Sequence, residues 1–273
     1  MKRMNGFEEL IVLGTGNAMV TKCFNTCFAL RKGDRYLLVD TGGGNGILSA
    51  LEKAAIDPAK IECLFITHAH TDHILGFPWV VRLIGTLMKK GGYEGKLVVY
   101  GHDEALSTAR TICELTVQKK FTSLFDDRII FRELTDGMSL EILGETVTFF
   151  DIHSTKAKQF GFYTAAKGGK KLVCLGDEPC AHCCRDIAKG ADWLLCEAFC
   201  LAADSDRFKP YEKHHSTALD AAQLAEQLGM KNLVIWHTED KTIADRKKNY
   251  SAEAKTAFSG TVNVPDDLER IML

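Results

Sequence analysis

The sequence predicts an α/β fold in which two β-sheets pack together with helices outside. Three observations carry that expectation. Short apolar runs that read as buried strands recur along the chain and alternate with segments of helical spacing. The second half of the chain repeats the manner of the first. No linker, low-complexity tract or proline-rich segment separates the halves, and there are only five prolines. Residues 1–273 are therefore read as one domain.

In the first half, strands are expected at Leu10 to Leu13, Thr26 to Leu30 and Tyr36 to Val39. A helix follows over Gly46 to Ala55, then a strand over Ile61 to Ile66. Next come a helix near Trp79 to Lys89, a strand over Lys96 to Tyr100 and a helix from Glu104 onward. The second half offers strands at Ile129 to Phe131, Thr146 to Ile152, Gly161 to Ala165, Lys171 to Leu175 and Trp193 to Glu197. Ala218 to Gly229 has helical spacing, with Gly229 as the stop. Leu233 to Trp236 is a further strand, and Val262 to Val264 with Ile271 to Leu273 would close an edge. Ala29 to Val39 and Ala165 to Cys174 each read as a strand, a Gly-centred turn and a second strand. An aspartate, Asp40 or Asp177, follows each.

The composition is 46% hydrophobic and 26% charged, ordinary for a folded chain. A net charge of -2 shows no overall preference for nucleic acid or an anionic membrane. The block Arg246, Lys247 and Lys248 reads as a solvated face. Lys2 and Arg3 are positive, but the run Leu10 to Leu13 is too short for a signal peptide. No segment approaches the roughly 20 apolar residues of a membrane span. A cytoplasmic protein with no membrane partner is expected, and its ten cysteines are expected to be reduced. Cys180, Cys183 and Cys184 cluster around His182 but lack paired C-x2-C spacing.

The densest chemistry is Thr67-His68-Ala69-His70-Thr71-Asp72-His73, directly after the apolar run Ile61 to Thr67. His68 and His70 are two apart, so in extended chain they point the same way. Imidazoles and a carboxylate suit zinc and similar metals. Further ligand-type residues end other apolar runs: His153 after Val147 to Ile152, Asp177 after Leu172 to Gly176, and His237 after Leu233 to Trp236.

This ordered set resembles the metallo-β-lactamase superfamily, and Val39-Asp40-Thr41-Gly42-Gly43 resembles that family's first motif. The resemblance covers nearly the whole chain. It implies a four-layer αββα sandwich with two divalent metal ions, zinc first and manganese or iron as alternatives. By that resemblance His68, His70 and His153 hold one ion, Asp72, His73 and His237 hold the other, and Asp177 bridges them. Asp40 is similar to the aspartate that organises the His loop. Two ions about 3.5–4 Å apart can share a water, lower its pKa and stabilise an oxyanion, so hydrolysis is the implied chemistry.

Leu195-Cys196-Glu197-Ala198 and His215-Ser216-Thr217-Ala218 resemble the glutamate and histidine motifs of the ribonuclease Z branch and its phosphodiesterase relatives. The resemblance implies that Glu197 pairs with His215 and that His215 donates a proton to the leaving oxygen. Asp72, Glu197 and His215 are thus the expected catalytic residues. Without that role, Glu197 is a strand-end charge and His215 precedes a helix capped by Ser216 or Thr217.

Two departures bear on the substrate. Only 23 residues separate His153 from Asp177, with no room for the arm that ribonuclease Z uses to grip transfer RNA. Gly101-His102 and Trp236-His237-Thr238 depart from the residues usual in relatives. The expected substrate is a nucleotide, a cyclic nucleotide or an RNA phosphodiester, and net charge does not support RNA. An ester, thioester or lactone hydrolase on the same fold is the alternative, followed by a non-catalytic metal-binding protein. A homodimer fits the habit of the relatives.

Overall fold

The computed structural model describes residues 6–273. Lys2 and Arg3, which entered the signal-peptide argument, lie outside the described residues. In the first sheet are β1 (Glu9–Gly14), β2 (Cys27–Lys32), β3 (Arg35–Val39), β4 (Ile61–Phe65), β5 (Leu97–Gly101) and β6 (Ile129–Glu133). The second contains β7 (Ser139–Ile142), β8 (Glu145–Asp151), β9 (Phe160–Ala166), β10 (Lys170–Cys174), β11 (Trp193–Glu197), β12 (Asn232–Trp236) and β13 (Thr261–Asn263). The last strand, β14 (Arg270–Met272), pairs with β1.

The strand orders are β14-β1-β2-β3-β4-β5-β6 and β13-β12-β11-β10-β9-β8-β7. Each sheet has an antiparallel half and a parallel half. β3, β4, β5 and β6 pair in parallel in the first, as do β10, β11, β12 and β13 in the second. The two Gly-centred segments are the hairpins β2/β3 and β9/β10, in corresponding places. The strand ends that follow them, at Asp40 and Asp177, are therefore equivalent positions of two similar halves.

The layers follow from strands that are apolar on both faces. In β1, Leu10 and Val12 enter the core between the sheets, while Ile11 and Leu13 enter the core under the helices. β11 divides likewise: Trp193 and Leu195 face the other sheet, Leu194 and Cys196 the outer helices. Between the sheets Phe28 stacks on Trp236 at 4.8 Å, and Phe65 meets Phe149 at 4.9 Å. The first sheet is covered by α1 (Gly46–Lys53), α2 (Thr71–Ile74), α3 (Phe77–Lys89), α4 (Asp103–Thr116) and α5 (Lys119–Thr122). Along the second run α6 (Arg185–Ala188), α7 (Ser205–Phe208), α8 (Ala218–Gln227) and α9 (Arg246–Ala254). Thr217 caps α8, exchanging hydrogen bonds with Asp220, and Gly229 beyond its end has φ +70°. Ala218, Ala221, Ala222 and Ala225 form its buried face, small enough for close approach to the sheet. No described helix is long and apolar enough to cross a membrane.

Three expectations change. β7 has no apolar run to announce it, because it is an edge strand in which exposed Ser139 and Glu141 alternate with Leu140 and Ile142. β13 and β14 do not close one edge together; they extend different sheets. Arg246 is not solvated: it is 1% exposed and opens α9. Its guanidinium donates to Thr15 Oγ1 at 2.9 Å, Thr238 Oγ1 at 3.1 Å and the Pro265 carbonyl at 2.9 Å, and pairs with Asp266. A buried cation persists only with such partners.

Candidate metal centre

The His loop leaves β4 at Thr67, where Asp40 receives it. The Asp40 carboxylate accepts the Thr67 N–H at 2.8 Å, the Thr67 hydroxyl at 2.8 Å and His73 Nδ1 at 2.7 Å. His70 has an extended backbone, and its carbonyl accepts from His73 N, so Asp72 and His73 fall in the first turn of α2. His68 Nε2 and His70 Nδ1 lie 2.8 Å apart, as two imidazoles on one side of an extended chain should. Gly76 closes the loop, passing so near Thr41 that a Cβ would sit 2.0 Å from its carbonyl oxygen.

Asp177 brings the second sheet to this loop. Its Oδ2 lies 3.6 Å from His68 Nε2, 3.5 Å from His73 Nε2 and 3.6 Å from His237 Nε2. His73 Nε2 is also 3.4 Å from Asp72 Oδ2. Two buried groups emerge with their ligand atoms in reach of one ion: His68, His73 and Asp177, and Asp72, His73 and His237. The second is the set expected for one ion. The first contains His68 and Asp177 but neither His70 nor His153. His70 stays beside His68, whereas His153 is exposed and lines a neighbouring cavity.

The donor set fits a metal. His73 Nε2 and Asp177 Oδ1 are buried without hydrogen-bond partners, a costly state that a bound cation would relieve. Burial pushes the His237 imidazole down to about 3 and holds His68 well below the ordinary value. Burial acts against ionisation of Asp177 as well, but His68, His73 and His237 outweigh it and hold the carboxyl well below its usual range. The backbone is strained where the candidate residues sit: Asp40, His153 and His237 have φ of +56°, +56° and +58°. Such conformations cost on the order of 1–3 kcal/mol each and cluster at functional sites.

Beside the cluster, Glu197 ends β11 wholly buried, with Oε2 3.4 Å from His215 Nδ1. Ser216 donates its N–H and hydroxyl to Glu197 Oε1 at 2.8 and 2.6 Å. Ser216 therefore positions the glutamate while Thr217 caps the helix, a division the two adjacent hydroxyl residues do not announce. Burial raises the Glu197 carboxyl despite these bonds. Phe199 stacks on the His215 ring at 5.1 Å, and the His237 ring lies 5.3 Å away. His214 is turned outward to Thr155. His215, His237, Asp177, Asp72 and His70 share a cavity of about 240 Å³, which Asn17, Phe199, Lys156 and Lys213 help to line. Those last four carried no sequence signal: Asn17 and Lys156 reach the cavity from distant loops, and Phe199 and Lys213 flank Glu197 and His215 without a pattern of their own. The cysteines near His182 form no metal-holding group among the described residues.

A family model described as Anti-Pycsar protein Apyc1 matches residues 8–163, more than half of the chain. The ribonuclease Z of Bacillus subtilis (strain 168) is 27% identical over 308 positions, covering 96% of this chain and 98% of the relative. That span exceeds the 273 residues of this chain, so at least 35 positions (308 − 273) are gaps in it. The metallo-β-lactamase fold protein YhfI from Bacillus subtilis superposes with a TM-score of 0.78 at 21% identity, covering 98% of this chain and all of its own. Human tRNase Z, short form (ELAC1), superposes with a TM-score of 0.73 at 22% identity, covering 96% of this chain and 98% of its own.

Proposed function

The chain belongs to the family of the anti-Pycsar protein Apyc1, as a ribonuclease Z-like member of the metallo-β-lactamase superfamily, and on that premise we propose that it cleaves a nucleotide-sized phosphodiester. It is a metal-dependent hydrolase of phosphodiesters; a nucleotide or cyclic nucleotide is the substrate class favoured here over a folded RNA. The observation that carries this reading is the buried Glu197–His215 pair, opening beside the His/Asp cluster into one small cavity. The β9/β10 hairpin supports it, since it spans the interval between His153 and Asp177 and leaves no place for an RNA-gripping arm.

His68 and His70 would hold one ion, with His153 joining them only by turning from the neighbouring cavity, Asp72, His73 and His237 would hold a second, and Asp177 would serve both. Zinc suits these nitrogen and carboxylate donors best. When bound, the ions supply Lewis acidity, which acidifies water and offsets developing negative charge. Asp72 faces the cavity as an ionised carboxylate: burial opposes its charge, but His73 and His237 outweigh burial and hold it below the usual range. It accepts a hydrogen bond from the attacking water and orients it. Glu197 Oε2 faces Nδ1 of His215 at 3.4 Å, so Nε2, which lies 3.4 Å from Lys156 Nζ, is the nitrogen that in its protonated form gives a proton to the leaving oxygen as that oxygen's bond to phosphorus breaks.

The test is hydrolysis of cyclic AMP, of bis(p-nitrophenyl) phosphate and of a matched carboxylic ester by metal-loaded protein and its His215→Ala variant. Loss of a general acid should lower kcat by about 10²–10⁴-fold on cyclic AMP, whose alkoxide leaving group needs a proton, and much less on bis(p-nitrophenyl) phosphate, whose phenolate leaves without one. Ester turnover alone, indifferent to the variant, would move the protein to the esterase or lactonase chemistry of the same fold.

A further inference from the structure

We propose that the cavity beyond His215 is the subsite that receives the nucleoside of the leaving alcohol, with the ring of Tyr211 as its stacking face; the proposal rests on the phosphodiesterase reading above. His215 is a shared wall. It lines the cavity of the His/Asp cluster and also a second one of about 350 Å³, bounded by His153, Thr155, Glu178, Tyr211 and His214. Its Nδ1 is turned to Glu197, so the leaving oxygen must come to Nε2. Attacking and leaving oxygens lie roughly in line across phosphorus. With the attacking water on the side of the cluster, the leaving group extends past His215 into the second cavity.

The walls of that cavity suit a nucleoside. Tyr211 is 62% exposed, an unusual state for a large aromatic ring, and its hydroxyl donates to Asp220 Oδ2 at 2.9 Å, which anchors the side chain. An exposed aromatic face at a cavity is a platform on which any nucleobase can stack. Opposite it the lining is polar. Thr155 Oγ1 and His214 Nδ1 are 2.7 Å apart, and the Glu178 carboxylate accepts from Ser154 Oγ at 2.7 Å. At the junction of the two cavities stands Lys156, its Nζ 3.4 Å from His215 Nε2 and 3.6 Å from Glu178 Oε1. A cation there faces the position of a phosphate oxygen, between the cluster on one side and the nucleoside on the other.

The experiment uses the metal-loaded full chain, with cyclic AMP as substrate and AMP and inorganic phosphate as competing inhibitors. Tyr211→Ala should raise the AMP inhibition constant and the cyclic AMP KM about 10-fold, the usual loss for one base-stacking contact. Inhibition by inorganic phosphate should not change, because phosphate reaches only the first cavity. Tyr211→Phe keeps the stacking face and should stay near wild type. If AMP and phosphate constants move together in Tyr211→Ala, or neither moves while cyclic AMP is turned over normally, the subsite is refuted alone. If the wild type hydrolyses no phosphodiester, the activity and the subsite fall together.

Discussion

Replacing Asp40 with Asn isolates the carboxylate that organises the His loop. Asp40 sits at φ +56°, a region Asn enters more readily than most residues, so the backbone has no reason to move. The chemistry does change. The carboxylate accepts from Thr67 N, Thr67 Oγ1 and His73 Nδ1 at 2.7–2.8 Å, and an amide offers only one accepting oxygen. If that oxygen faces the Thr67 N–H, the amide NH₂ faces His73 Nδ1 and forces the proton onto Nε2. Nε2 is the His73 atom that faces Asp72 and Asp177, the one a metal needs bare. Loss of one charge-assisted hydrogen bond costs about 1.5–3 kcal/mol of stability. Loss of an orienting partner lowers metal affinity by about 10–100-fold. Chemical denaturation of the metal-free variant measures the first, and zinc competition against a chromophoric chelator the second. A destabilised variant that binds zinc as tightly as wild type would refute the assignment of Asp40 as the residue that sets the His73 tautomer.

Two further substitutions probe how the loops are held. Asp240 is buried and accepts the backbone N–H groups of Thr21 and Lys22; burial opposes its ionisation, but these bonds and Lys241 hold its carboxyl at about 2. A folded-state value below that of the unfolded chain contributes stability above about pH 4 that is lost as pH falls toward 2, on the order of 2 kcal/mol. Asp240→Asn should therefore lower stability at pH 7 and flatten its dependence between pH 4 and 2; an unchanged acid slope would contradict the linkage. Gly76→Ala would put a Cβ 2.0 Å from the Thr41 carbonyl oxygen, while Thr41 itself donates to His73 O at 2.8 Å. The displaced loop should cost about 1–3 kcal/mol and reduce bound zinc, read by thermal melting and metal analysis; full metal content at the wild-type Tm would show that the contact is slack.

Much of the fold was legible because its strands are short apolar runs with turn chemistry between them. The β11 boundaries, Trp193 to Glu197, were expected as found, since the run is wholly buried and sharply bounded. α9 was hidden because its opening Arg-Lys-Lys carries the charge of a solvated segment, and only the third dimension shows Arg246 enclosed by Thr15, Thr238 and Pro265. Ser216 and Thr217 are interchangeable as sequence, and which one caps α8 depends on where Glu197 arrives from another strand. Lys156 and Tyr211 were silent for the same reason: a lysine and a tyrosine on loops have no pattern until a cavity forms between them.

By itself the sequence determined the types and order of the chemical groups. Periodicity and ligand chemistry are local properties, readable within a strand and its exit loop. Tertiary structure alone decided that Asp177 Oδ2 stands 3.5–3.6 Å from three imidazoles, and that His153 turns into the neighbouring cavity instead. Those outcomes depend on the register and spacing of two sheets that meet only after more than 100 residues of chain have folded between His68 and Asp177. A distance of that kind is set by the packing of the inter-sheet core, and no local pattern contains it.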